Sequence, residues 1–286
     1  MTVRRRSIAM EIDALVRTIG PNSTAVDISA GGNKVFRLRE ESGRTSIAKI
    51  YGSPARERRE RHALEALANV PGVPRILSRG MDEGKAWIQM TDGGTWNMAN
   101  LPRNLETVKS AGRVLRGVHE SGVSISNLSG TIGGSQIEAH YQSTLERLER
   151  FRRRLNMPAG LLETAAAAGT PEASEPKPSH TRATPEQFLV TEGAGQVTLI
   201  DWEWATMAPA EWDLSLASWQ LSNVLGEQAA VAFLEAYGTA VPADRLPSWI
   251  AYHSAMIMLD ADETRGGRLH DLAPLVRSMA DAVGFH

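Results

Sequence analysis

Four short stretches hold residue types suited to work on a nucleoside triphosphate. Gly31-Gly32-Asn33 lies in the run Ser29–Phe36, and successive glycines allow close backbone approach to phosphate. The plainer alternative there is a hairpin turn. Lys49 sits inside the apolar run Ile47–Ile50, where an ammonium needs a partner. Glu60 is the candidate partner, although it stands in the charged run Glu57–Arg61, which also fits a solvated helix face. Leu199-Ile200-Asp201 sets a carboxylate at the end of an apolar run. That position suits a magnesium ligand, because magnesium takes one or two carboxylates plus phosphate oxygens. A loop over phosphates, a lysine, an acid to hold it and a metal-binding carboxylate are the parts of phosphoryl transfer from ATP. A further carboxylate commonly orients the acceptor hydroxyl.

These residues must be positioned by strands and helices. Val35–Leu38 alternates like a half-buried strand, Thr45–Tyr51 does likewise, and Glu41-Ser42-Gly43 supplies the turn. A helix is predicted after Pro54, with Ala63, Leu64, Leu67 and Ala68 at helical spacing. Trp87–Met90 reads as another strand, ended by Asp92-Gly93-Gly94. Beyond it the pattern turns helical. Leu105–His119 is amphipathic through Val108, Ala111, Leu115 and Val118. A second helix is predicted over Ser143–Leu155, because Ser143-Thr144-Leu145-Glu146 has the form of a capping box. Residues 156–179 read as a linker or loop, with a short helix over Leu161–Ala168 as the alternative. Short strands are expected at Phe188–Val190 and Val197–Ile200 around a Gly193–Gly195 turn, and helices from Leu214 onward. The fold class is therefore α+β, strand-rich over residues 1–91 and helical over 92–286, with an insertion at 124–179.

Bulk properties narrow the classes. The 286 residues are 42% hydrophobic, enough for a sizeable core, and the net charge of -2 gives no basic footprint for nucleic acid. Cysteine is absent, which excludes disulfides and thiolate metal sites and suits a cytoplasmic protein. No apolar run reaches the roughly 18 residues a membrane helix needs, so no membrane partner is expected. There is no Gly-x-Ser-x-Gly, no His-Glu-x-x-His and no Walker motif, and His62, His119, His140, His253 and His270 lack metal-ligand spacing.

In order and spacing the four stretches resemble the aminoglycoside phosphotransferase (choline-kinase-like) family, over roughly residues 26–220. The resemblance implies a bilobal protein-kinase-like fold, with ATP and magnesium as cofactors. It assigns Gly31, Gly32 and Asn33 to the nucleotide loop, Lys49 to the phosphates and Glu60 to the helix glutamate. Gln89 and Met90, at the end of the strand that leaves the first lobe, join the nucleotide-binding residues. Val70–Leu77 is similar to the family's next segment, and Gly117-Val118-His119 resembles the end of its long helix. Val197–Glu203 is the strongest match, with Asp201 as metal ligand, and Trp212-Asp213-Leu214 matches the Trp-Asp-Leu whose aspartate braces the catalytic loop.

The catalytic loop departs from the family's His-Gly-Asp, two residues, Pro, one residue, Asn. His180 and Pro185 keep the register, but Arg182 stands at the catalytic aspartate and Gln187 at the metal-binding asparagine. Glutamine still offers a carbonyl oxygen to magnesium, whereas arginine stays cationic and accepts no proton. Three readings stay open. The chain is a pseudokinase, acting as a nucleotide- or peptide-binding partner subunit of another protein. Or it transfers phosphate by positioning and electrostatics alone. Or Arg182 grips an anionic acceptor group. Glu186 is a substitute carboxylate within the same loop. The acceptor is a hydroxylated small molecule or a peptide Ser or Thr. Arg147, Arg150, Arg152, Arg153 and Arg154 in the insertion argue against polycationic aminoglycosides, and Leu145, Leu148, Phe151 and Leu155 are its buried or partner-facing stripe. Asp260, Asp262 and Glu263 form an acidic patch diluted by Arg265 and Arg268.

Overall fold

The computed structural model describes residues 16–30, 32–82, 84–101, 104–125, 130–191, 195–238, 245–264 and 272–285, without the side chains of 262–264. Gly31, the side chains of Asp262 and Glu263, Arg265, Arg268 and most of the Gly193–Gly195 turn lie outside the described residues.

The first half is one antiparallel sheet of β1 (Ser23–Asp27), β2 (Lys34–Glu40), β3 (Thr45–Ile50), β4 (Ile76–Asp82) and β5 (Lys85–Thr91), in the order β1-β2-β3-β5-β4. Alternation sets its two faces. Phe36 and Leu38 of β2 and Ala48 and Ile50 of β3 bury one face against Val16 and Ile19. Residues 47 and 49 point to the other face, so Lys49 turns inward beside Ile47, which packs on the main core. Across the strands Lys49 pairs with Val35 on one side and Ile88 on the other. The edge strands β1 and β4 join the expected ones; β1 has no fully buried residue and β4 exposes Leu77 and Met81, so neither carries a clear alternating signal.

Helix α1 (Pro54–Ala66) starts where the sequence places it. Ser53 caps it by accepting from the Ala55 N–H, and Pro54 occupies the first turn. Glu60, Ala63 and Leu64 form its buried side.

The second half is helical: α2 (Leu105–His119), α3 (Gly134–Glu149), α4 (Leu161–Ala167), α5 (Ala210–Leu225), α6 (Glu227–Tyr237), α7 (Leu246–Thr264) and α8 (Ala273–Ala282). Three short strands, β6 (Trp96–Asn97), β8 (Phe188–Val190) and β9 (Val197–Leu199), form one small sheet, and β7 (Pro176–Ser179) pairs with β10 (Thr206–Pro209) in another. The main core joins the halves, with Leu64 and Ile88 in the same cluster as Leu115, Phe188 and Phe233. A second core gathers Tyr141, Leu148, Leu161, Trp249 and Tyr252. None of the described helices is long and apolar enough to cross a membrane.

Two expectations need correction. Helix α3 begins at Gly134, not at Ser143, and ends at Glu149. Ile137 and Tyr141 extend the buried stripe of Leu145 and Leu148 backward, and Thr144 bonds the His140 carbonyl from mid-helix. The tertiary stripe thus overrides the local capping signal. Residues 156–179 are not a linker either. Leu161, Leu162 and Ala165 of α4 are buried, and β7 is paired. The stripe Leu145, Leu148, Phe151 and Leu155 belongs to the second core, so it faces inward and not toward a partner.

Candidate active site

Lys49 is the centre of the site. Its ammonium lies 2.6 Å from Glu60 and 2.5 Å from Asp201, bringing together a strand, a helix and the segment after β9. Glu60 also accepts from the Tyr51 hydroxyl at 2.8 Å and from the Trp202 N–H at 3.3 Å. A carboxylate this buried needs those donors to stay ionised. Burial pushes the Glu60 carboxyl up while the Lys49 ammonium opposes it. Burial works against the Lys49 charge as well, but the two carboxylates outweigh it and raise the ammonium above its ordinary value. Burial alone would also raise Asp201, yet Lys49, with His180 and Arg182 behind it, holds that carboxyl below the usual range.

Asp201 stands two residues past β9 in a left-handed conformation, φ 70°. That turn swings its side chain off the strand and toward Lys49. The carboxylates of Glu60, Asp201 and Glu203 each offer an oxygen within 4.8 Å of the others. Such a set of hard oxygen donors fits magnesium. Their roles differ. Glu60 is 1% exposed and saturated by donors, and Glu203 is engaged by Asn33 and Arg56, whereas Asp201 is 34% exposed and, among the described residues, keeps one oxygen free of hydrogen bonds. Asp201 is therefore the residue that would hold the ion.

The candidate phosphate loop reaches across the site. Asn33 is buried, donates to Glu203 at 3.0 Å and accepts from the Gly52 N–H at 3.3 Å. A Cβ on Gly52 would press on the Gly32 carbonyl, so these two glycines let the loop and the end of β3 close together. The Gln89 amide is held between Ser46 and Ser78 within the sheet, and Met90 is buried in the main core.

The altered loop keeps the scaffold of the pattern. Asp213 accepts from the backbone N–H of His180 and of Thr181, both at 2.7 Å, and contacts His119 Nε2 at 3.2 Å. It thereby braces Thr181 at φ 63°, a costly conformation for a β-branched residue, and Trp212 adds a bond to the Thr181 carbonyl. His180 is buried, and burial pushes its imidazole below the ordinary value. Its Nε2–H donates to the Ile200 carbonyl at 2.8 Å, leaving Nδ1 to accept from the Arg182 N–H. Gln187 is tied to the Asp201 strand through its carbonyl, which accepts from Ile200 N–H, and it lines a cavity with Arg182. Glu186 is exposed.

Arg182 does not fold onto Asp201. Its guanidinium stacks on the Trp204 ring 4.3 Å from the centroid. Beside it opens a cavity of about 490 Å³, lined by the catalytic-loop segment, Arg59, Trp204 and helices α5 and α7. The sequence reading missed Tyr51, Arg59, Glu203 and the bidentate pair Arg37–Asp92, whose arginine also donates to the Gly94 carbonyl at 2.6 Å. Tyr51 and Glu203 each lie two residues from a recognised group, Tyr51 just past β3 and Glu203 in the 3-10 turn after Asp201; that nearness in sequence was the available signal.

Residues 25–249 match the model of a phosphotransferase enzyme family, APH. No curated protein matches the chain significantly. The fold is similar to that of a thermostable mutant of aminoglycoside phosphotransferase APH(4)-Ia solved with AMP-PNP and hygromycin B, with TM-score 0.68, 13% identity and coverage of 96% of this chain and 98% of that one. It is also similar to choline kinase LicA from Streptococcus pneumoniae, with TM-score 0.65, 17% identity and coverage of 98% and 100%. Macrolide 2'-phosphotransferase MphH from Brachybacterium faecium gives TM-score 0.62 at 17% identity over 96% and 98%.

Proposed function

The chain belongs to this phosphotransferase enzyme family, and from that premise we propose that it transfers the γ-phosphate of ATP to a hydroxyl of a small molecule. The observation that carries the reading is the Lys49 ammonium held between Glu60 and Asp201 at 2.6 and 2.5 Å. A lysine fixed in this way presents a charge to phosphate oxygens, and Glu60 with Tyr51 sets its position. Asn33 and Gly32 cover the phosphates from the loop. Asp201, with its partly exposed carboxylate, would hold magnesium, which supplies charge neutralisation on the phosphates when bound.

Arg182 cannot serve as a base, since a guanidinium has no acceptor. The acceptor oxygen forms its bond to phosphorus as the bond to ADP breaks, and its proton passes to solvent or to the transferred group. Loose phosphoryl transfer leans on positioning and charge more than on proton removal, so such a site retains activity at a reduced rate. The cavity of about 490 Å³ beside Arg182 favours a small molecule over a peptide segment. The second reading, a nucleotide-binding protein without turnover, rests on Arg182 itself.

Calorimetry of ATP with and without magnesium, on the wild type, Lys49→Ala and Asp201→Ala, tests the proposal. Magnesium-dependent binding lost in both folded variants supports it and leads to a screen for ADP release with hydroxylated acceptors. Binding without ADP release under any acceptor selects the second reading. Failure to bind millimolar ATP would overturn both.

A further inference from the structure

The cavity beside the altered loop has a composition that the nucleotide site does not account for. Arg59 and Arg182 both line it, and both guanidinium groups lie over Trp204, at 5.0 and 4.3 Å from the ring centroid. Neither forms an ion pair among the described residues, unlike Arg56, which contacts Glu203 at 3.7 Å. The Arg59 Nε is buried with no hydrogen-bond partner. A buried guanidinium N–H left unpaired costs free energy, and the group that answers it best is an oxyanion that accepts two parallel bonds. The indole face orients and partly desolvates the cations, which strengthens their pull on an anion.

The rest of the lining fits the body of a ligand. Trp212, Leu216, Met256 and Ile257 give an apolar wall, and Thr181, Thr184 and Gln187 give polar contacts near the loop. His140 and His253 also line the cavity, and burial pushes both imidazoles below their ordinary value. Asp260 is the acid of the described lining and is itself engaged by another group. Two unpaired arginines repel a polycation and attract an anion.

We propose that the acceptor is a hydroxylated small molecule with an apolar body and an oxyanion, carboxylate or phosphate, gripped by Arg59 and Arg182. The inference rests on the phosphotransferase reading for the word acceptor, while the anion site itself can be tested without it.

Ligand-observed NMR on the full chain, with ATP and magnesium present, would compare 3-phenyllactate, phenyl phosphate and the neutral 3-phenyllactamide. At least one acid should saturate and bind about tenfold or more tightly than the amide. Which acid wins separates carboxylate from phosphate recognition. Arg59→Ala and Arg182→Ala should each weaken that acid at least about tenfold, and Arg182→Lys should recover part of the loss. Melting curves show that each variant is folded. Equal binding of acid and amide, an acid preference that survives in the folded double variant, or no acid binding to a chain that binds ATP would each overturn the proposal. Loss of ATP binding with acid selectivity intact would sink the phosphotransferase reading and leave the anion site standing.

Discussion

The Lys49 ammonium lies 2.5 Å from the Asp201 carboxylate, a contact that runs from the sheet of the first half to the segment after β9 in the second. Because Lys49 holds Glu60 at the same time, one cation serves two carboxylates, and the site is electronegative before any ligand is considered. A metal ion held by Asp201 and a polyphosphate facing the Lys49 ammonium would together answer that imbalance.

Replacing Lys49 by Met should cost about 3–5 kcal/mol of stability, because a buried pair loses one partner. The companion Lys49→Met, Glu60→Leu variant should regain much of that loss. Urea unfolding of the two variants measures it. A single variant as stable as the wild type would show that the bridge contributes nothing to the fold.

His253 sets a pH dependence. Its Nε2 lies 3.1 Å from the Trp212 carbonyl and 2.9 Å from Ser215, and burial drops its imidazole from 6.5 to about 4. Below 6.5 the unfolded chain takes up a proton here that the folded chain refuses until about 4. Stability should therefore fall as pH drops through that window, by up to about 3 kcal/mol from this group. His253→Gln keeps a donor for the Trp212 carbonyl and should flatten that slope in denaturant titrations at stepped pH. An unchanged slope would place the titration elsewhere.

Asp213→Ala should destabilise the chain by about 3 kcal/mol or more, since two backbone N–H groups lose an ionised acceptor inside the protein. Asp213→Asn should cost less, retaining one oxygen for one of them. Thermal melts check the order. In both variants Thr181 loses part of what holds its left-handed backbone, so ADP release should fall further than stability alone explains.

Gly112 packs α2 on α6, where an added Cβ would strike the Phe233 carbonyl and crowd Tyr237. Gly112→Ala should lower stability by about 1–3 kcal/mol despite its better helix propensity. A stabilised variant would show that the two helices can separate without loss.

Much of this site could be read in the residues. Lys49 announced itself as a charge in an apolar strand, and Asp201 as a carboxylate at the end of one; both meet in the fold, and Glu60 of α1 pairs with Lys49 as expected. The pairing of Asn33 with Glu203 was not legible, because the two are joined only by how the loop crosses the cleft. Nor was the direction of Arg182. Its stacking depends on Trp204, whose ring could as well have been core as Trp202 is. Helix α3 shows the converse limit: a correct local motif at Ser143 was outvoted by a buried stripe that begins at Ile137.

The connector between the halves carries a last consequence. Arg37 of β2 grips Asp92 with two nitrogens and the Gly94 carbonyl with one of them, and Gly94 itself sits at φ 125° against Val190. The joint is thus pinned on both sides of its most pliable residue. A clam-shell opening about this joint would strain the clasp. Together with the Lys49–Asp201 and Asn33–Glu203 contacts, the clasp ties the first half to the second at three separate places.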